Sequence, residues 1–437
     1  MTTRKADEDS VIARQMYHWA TELFPICRSL TGLGVRETLS YLGRLLPGLK
    51  VESIPSGTKV FDWTVPDEWT IRSGFIETES GERVVDFQNN NLHVVGYSHP
   101  IDIWLDREQL NEHLYSLPDQ PDAIPYITSY YARRWGFCIA HTHRQSLTPG
   151  KYRAVIDADL APGELNYAEL YLPGATDKEI FLSTYICHPS LANNELSGPV
   201  VTAALAQHVM ALPSRHYSYR IVFVPESIGA IAYTSRHLDA MRANITAGFN
   251  VTCVGDDRTY SYLPSRNGDT LADQIAQHVL RHIYPSFKRY SWLDRGSDEQ
   301  QYCAPGVDLP IATIMRSKYG EYPEYHTSLD ALGTVVTPKG LLGGFIALRE
   351  AITVLETNVI PCVTTLCVPQ LGAHGLYPTL STKASSDQVR TMLDLISYCD
   401  GTRTLLGIAN LIGQPFSVLR PMIDVLKREG LVEVHTA

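Results

Sequence analysis

The chain has 437 residues, enough for more than one domain and for a core that needs no disulfide staples. Apolar residues make up 44% and charged residues 19%, the balance of a soluble globular protein. With 37 basic against 47 acidic residues the net charge is −10, which argues against a general nucleic-acid or anionic-membrane binder. Eight cysteines form no CxxC pair and several lie inside apolar runs, so they read as free, buried thiols of a reducing compartment. The first residues, MTTRKADEDS, are charged and lack an apolar h-region. No apolar run reaches the roughly 18 residues that would span a membrane. A cytoplasmic protein is the expectation.

Helical spacing of Val11, Met16, Trp19, Leu23 and Phe24, ended by Pro25, predicts a first helix, and Leu39, Leu42, Leu45 and Leu46 predict a second. From about residue 50 to 160 short runs rich in β-branched and aromatic residues are divided by turn residues, the cadence of a mostly β domain. Within it His141 and His143, two apart in a strand-like context, would share one face. From 160 onward strands alternate with helices: strands at 169–172, 179–187, 219–224, 247–254 and 309–315, helices at 199–212, 231–241, 271–283 and 341–355. This alternation predicts an α/β fold, a mixed, mostly parallel sheet flanked by helices. Residues 361–385 read as a linker. Residues 386–437, with helices at 389–398 and 405–412 and a third that Pro421 interrupts or delays, have the cadence of a winged-helix domain. That segment carries five basic and six acidic residues, so packing or dimerisation suits it better than phosphate contact. A homo-oligomer is compatible with this.

Three stretches put titratable groups just past strand ends, where α/β folds place chemistry. In FLSTYICHPSLANNELSGP, strand 181–187 runs into His188-Pro189, then Asn193, Asn194 and Glu195. Pro199 falls in the first turn of the next helix, where its missing N–H costs nothing. In YRIVFVPESIGAIAYTS a buried strand delivers Glu226, a candidate general base. In YGEYPEYHTSLD, His326 follows a strand and Thr327–Asp330 would open a helix with Asp at its dipole-favoured end. Two polar loops, Val254–Arg258 with Asp256 and Arg295–Tyr302 with Asp298, read equally as pocket walls or as plain solvated loops.

The order of these stretches resembles the zinc aminopeptidase clan. It is most similar to a bacterial aminopeptidase-like family with an inserted protease-associated-like β domain and a C-terminal winged helix. LFPICRSLTG, WGFC, CHPSLANNELSGP, PESIGAIAY, TCVGDD, YSYLPSR, GSDEQQYCAPGVDLP and RSKYGEYPEYHTSLD carry the likeness over almost the whole chain. It implies an aminopeptidase-like catalytic domain at 1–50 and 160–360, with the β-rich insertion at 51–159. The clan's first and last zinc histidines match His188 and His326, and its general-base Glu matches Glu226. Its bridging Asp falls on Asn194, the ligand Glu after the base on Ser227, and a later Asp near Thr252. The resemblance therefore implies a reduced metal set, His188, His326 and Glu195, holding one zinc ion, with Glu226 as base. Asn194, Asp256, Arg295, Asp298 and Tyr325 are the expected substrate-binding residues. The implied activity is metal-dependent hydrolysis of a peptide or aminoacyl-type amide bond in a short peptide or small molecule. Small-molecule or polysaccharide biosynthesis would be a setting for it. The alternative is a non-catalytic relative that keeps the fold and binds a ligand or partner.

Overall fold

The computed structural model describes residues 2–376 and 383–436. Residues 377–382 of the expected linker lie outside the described residues. The chain divides into two units, residues 1–273 with 287–346, and residues 274–286 with 347–437.

The first unit is built on an eight-stranded mixed sheet. In chain order its strands are β1 (Lys50–Pro55), β2 (Glu164–Leu172), β3 (Glu179–Tyr185), β4 (Ser218–Val224), β5 (Ile245–Asn250), β6 (Ser261–Leu263), β7 (Lys288–Arg289) and β8 (Ile311–Met315). Across the sheet they run β1-β2-β4-β3-β5-β8-β6-β7. The central four, β4-β3-β5-β8, are parallel, and antiparallel pairs flank them. Every residue of β3 is buried, as expected of a central strand covered on both faces. Helices α1 (Thr2–Leu23), α2 (Leu33–Leu45), α3 (Ser197–Met210) and α4 (Ile228–Asn244) belong to this unit. Because β4 lies on one side of β3 and β5 on the other, the loops leaving these strands open where the strand order reverses.

The start of α3 shows why SGP stands there. Ser197 accepts from the Val254 N–H at 3.0 Å, and Pro199 lies in the first turn. A Cβ on Gly198 would stand 2.4 Å from Thr184 Oγ1 and 2.5 Å from the Val251 carbonyl oxygen. The helix is thus pressed onto β3 and the end of β5. Gly198→Ala should lower stability by about 1–3 kcal/mol, because backbone on one side cannot yield. Chemical denaturation checks this, and an unchanged midpoint would show that the contact relaxes freely.

Residues between β1 and β2 carry a second, four-stranded antiparallel sheet ordered Arg83–Asp86, Glu68–Thr78, Lys151–Ala161, Ile101–Asp106. Its inward side chains, among them Trp69, Ile76, Ala154 and Ile156, join the same core as Tyr185 and Val224 of the main sheet. Two expectations fail in this unit. His141 and His143 lie on a short helix, His141–Ser146, where residues two apart point in different directions. Thr327–Asp330 opens no helix, since Asp330 is consumed by other backbone groups described below, and the next helix begins at Pro338.

In the second unit, helices Lys383–Ser397, Leu405–Ile412 and Phe416–Arg428 lie in sequence between Val359–Val363 and Val432–Thr436, which pair antiparallel, a winged-helix domain. Pro421 lies inside the third helix instead of delaying it. The Phe416 N–H at that helix's start donates to His278 Nε2 at 3.0 Å, while Nδ1 meets Asn410 Oδ1 at 2.8 Å. Burial pushes this imidazole down to about 4, keeping it neutral and able to accept. Among the described residues no helix is long and apolar enough to cross a membrane.

Candidate active site

His188, three residues beyond β3, is 4% exposed and sits in a fixed frame. A π-helical turn, Ala192–Leu196, folds Glu195 back under it, and such turns recur at functional sites. Glu195 Oε2 accepts from the backbone N–H of His188 at 2.9 Å and of Cys187 at 3.3 Å, and lies 3.0 Å from His188 Nδ1. Its other oxygen, Oε1, forms an ion pair with Arg28 Nε at 3.1 Å, both side chains fully buried. Arg28 also donates from Nε to the His188 carbonyl at 2.9 Å and from Nη1 to the Leu23 carbonyl at 2.9 Å. Burial disfavours the His188 imidazolium, yet the hydrogen bond and charge of Glu195 outweigh it and raise its pKa. With Nδ1 held by Glu195, Nε2 is the nitrogen offered to the site.

Glu226, two residues past β4, puts Oε2 3.6 Å from His188 Nε2. Its backbone N–H donates to Cys187 Sγ at 3.1 Å. Burial raises the Glu226 carboxyl above its ordinary range although His188 opposes the shift. Ser227 follows in the left-handed region, φ 60°, and its N–H donates to Asp298 Oδ1 at 2.7 Å. Asp298 is fully buried with Oδ2 unpartnered, and burial followed by the nearby Glu226 charge pushes its carboxyl well up.

His326 also has positive φ, 57°. Hydrogen bonds to a distant segment of the same chain hold this bend: Tyr126 N–H to the His326 carbonyl at 2.8 Å and Ser328 N–H to the Ile124 carbonyl at 2.9 Å. Its ring stacks on Tyr325 at 3.9 Å and lies 5.5 Å from the His188 ring, centroid to centroid. Nε2 is buried without a partner. Burial, then the neighbouring His188, push this imidazole down to about 3, so it is neutral.

Asp330 ties the loops together. Its oxygens accept from the N–H groups of Asn193 at 2.8 Å and Asn194 at 2.9 Å and from the Tyr322 hydroxyl at 2.9 Å. Asn194, where the clan likeness would have a bridging Asp, takes the Tyr185 hydroxyl on its carbonyl at 2.6 Å and on Oδ1 at 3.2 Å. The same hydroxyl lies 2.6 Å from Thr252 Oγ1. A phenol thus joins two positions at which a second ion would need carboxylates.

The expected residues therefore separate. His188, Glu226 and His326 line one cavity of about 330 Å³. Glu195 stands behind His188 with its oxygens engaged, so it orients the ring instead of facing the cavity. Cys187, His188 and Glu195 do place donor atoms within 4.8 Å of one another. The Cys187 thiol, however, is pushed well up by burial and so is kept protonated. Asp256 is buried and spent on structure: Oδ1 accepts from the Arg258 N–H and the Ser317 hydroxyl, Oδ2 from the Ser317 N–H and Asn193 Nδ2. Arg295 is exposed, lying over Trp292 with Nη1 donating to its carbonyl. Tyr325 touches the site through its stack on His326. Sequence reasoning missed Arg28 and the Tyr126 segment and placed Asp330 at a helix start instead of in the site; for Arg28 the only signal was its place in LFPICRSLTG.

Two imidazoles that turn Nε2 to the site, that of His326 neutral and without a hydrogen-bond partner among the described residues, beside a carboxylate suit a borderline divalent cation such as zinc. The carboxylate behind His188 is the outer partner such ligands use.

The family described as domain of unknown function DUF4910 matches residues 17–358, and a winged helix-turn-helix family matches 358–434. A Clostridium acetobutylicum relative named "Putative polysaccharide biosynthesis protein with aminopeptidase-like domain" is 38% identical over 424 residues, 96% of each chain. A crystal structure of a "putative peptidase" from Clostridium acetobutylicum superposes with a TM-score of 0.92 at 37% identity, covering 99% of both chains. The zinc aminopeptidase BSAP of Bacillus subtilis shares the fold at 12% identity, TM-score 0.55, over 78% of this chain and 94% of its own. The chain therefore belongs to the DUF4910 family, an aminopeptidase-like α/β fold followed by a winged helix-turn-helix.

Proposed function

We propose that the protein is a hydrolase of amide bonds that works with one zinc ion. The observation that carries this reading is the convergence of His188 Nε2, His326 Nε2 and Glu226 on one cavity, with Glu195 fixing the His188 tautomer. His188 and His326 would hold the ion, and the phenol knot at Tyr185, Asn194 and Thr252 leaves no carboxylates for a second. When bound, zinc supplies Lewis acidity to a carbonyl and acidifies water. Glu226 takes the proton of the attacking water and passes it to the departing amine. Its raised pKa suits both halves of that cycle, because a base nearer neutrality gives the proton back readily. Asp298 holds the Ser227 backbone and so fixes where Glu226 points. The name of the clostridial relative supports a biosynthetic small molecule or glycan-linked amide as substrate.

His188→Ala and His326→Ala should each abolish bound zinc, read by elemental analysis of the purified protein. Zinc retained at wild-type stoichiometry in either variant would sink the ligand assignment. Zinc binding must displace the proton from His188, whose pKa is raised, so affinity should fall about tenfold per pH unit below that pKa. His326 adds no such competition until about pH 3. A titration across pH 5–8 (a range set to bracket the roughly 6.5 of an ordinary histidine) reads that slope. A wild-type protein with no zinc and no amide turnover would assign the fold to ligand binding instead.

A further inference from the structure

The segment Tyr126-Ile-Thr-Ser-Tyr130 of the insertion forms one wall of the cavity. Residues 126, 128 and 130 line it, and Ile127 and Ser129 do not, the alternation of extended backbone. The ribbon is fixed from both sides. Tyr126 N–H donates to the His326 carbonyl at 2.8 Å, and Gly96 exchanges bonds with Ile127 and Ser129 at 2.9 Å each. The Tyr126 ring faces both imidazoles, 5.2 Å from His188 and 5.0 Å from His326. The Tyr126 and Tyr130 hydroxyls are 2.6 Å apart, so one proton joins them and the second is left for another acceptor. Thr128 Oγ1, between them in sequence, is buried against the Tyr130 hydroxyl. At the rim, Trp63 and Tyr131 meet edge to face at 5.8 Å, 43% and 58% exposed. Among the described residues no Arg or Lys lines the cavity, and Glu226 is its one lining carboxylate.

We propose that this cavity binds a neutral, hydroxylated ring, the sugar of an N-acylated amino sugar, and presents its amide to Glu226. The proposal rests on the amide-hydrolase reading above. Aromatic faces at the rim cover the C–H faces of the ring, and the hydroxyls of Tyr126 and Tyr130, the second backed by Thr128, exchange hydrogen bonds with ring hydroxyls. An aliphatic side chain in the same space would leave those hydroxyls unpaired, which a buried site penalises heavily. The absence of lining cations disfavours a phosphate or carboxylate at this point. In the reaction, water oxygen bonds to the acyl carbon and the C–N bond breaks. The amine leaves with the proton relayed by Glu226, giving an amino sugar and a carboxylic acid.

The full chain is titrated by NMR or calorimetry with N-acetylglucosamine and, separately, with leucinamide. N-acetylglucosamine should bind. Tyr126→Phe and Tyr130→Phe should each weaken it roughly 3- to 10-fold, the scale of one lost hydrogen bond. Chemical denaturation of each variant guards against a folding defect, and an unchanged midpoint is expected to accompany the weakened binding. Binding of leucinamide without binding of the sugar, no binding of either, or sugar affinity unchanged in both hydroxyl-deleted variants overturns the proposal. Sugar binding without turnover of any amide tested would overturn the hydrolase reading and leave the sugar pocket standing.

Discussion

Glu226→Gln is expected to keep bound zinc and to lose about 10²–10⁴-fold in turnover, the range for removal of a positioned general base. The amide matches the carboxylate in shape, so the Glu226 N–H bond to Cys187 and the Ser227 N–H bond to Asp298 should persist. What disappears is a group that can take a proton 3.6 Å from His188 Nε2. Burial raises the Glu226 pKa, so the charged base becomes available only as pH climbs past that raised value. The acidic limb of kcat/KM should therefore lie above the ordinary carboxylate range, at about 4.3 for free Glu, and vanish in the variant. Elemental analysis and initial rates on one aminoacyl amide decide the matter. A variant with wild-type turnover would remove Glu226 from the base role.

Much of the site is legible in the sequence for a simple reason. Alternating or continuous apolar runs announce β3, β4 and β8, and any polar residue just past them falls on the functional edge of the sheet. His188 and Glu226 are of this kind, while His326 stands eleven residues past β8, on the loop that follows it. Glu195 shows where such reading stops. One residue from Asn194 in sequence, it could face the cavity or the core, and only the π-helical turn decides that it points back at His188 and Arg28. Asp330 likewise looks like a helix N-terminus, but its carboxylate is claimed by backbone N–H groups 136 and 137 residues away in sequence. Arg295 misled because a dense polar loop is as easily solvent-facing as site-facing. The Tyr126, Thr128 and Tyr130 alternation is visible in the sequence, yet nothing local says that an insertion will fold over the cavity of another sheet.

Arg28→Met is the second large effect expected, a loss of about 3–5 kcal/mol measured by chemical denaturation of the metal-free protein. The substitution leaves the Glu195 charge buried without its ion-pair partner, and it also strips a donor from the His188 carbonyl. Removing one partner of a buried pair costs far more than removing both. Arg28→Met combined with Glu195→Gln should therefore recover most of the stability lost in the single variant. It should not recover zinc affinity: a neutral amide behind Nδ1 no longer polarises the ring, and outer partners of this kind typically contribute about 10- to 100-fold. Stability and metal affinity thus part company in the double variant, which separates a fold-holding role from a ring-orienting one. A single-variant cost under about 1 kcal/mol, the scale of exposed pairs, would mean that water reaches Glu195 and that the frame around His188 is looser than its buried hydrogen bonds require.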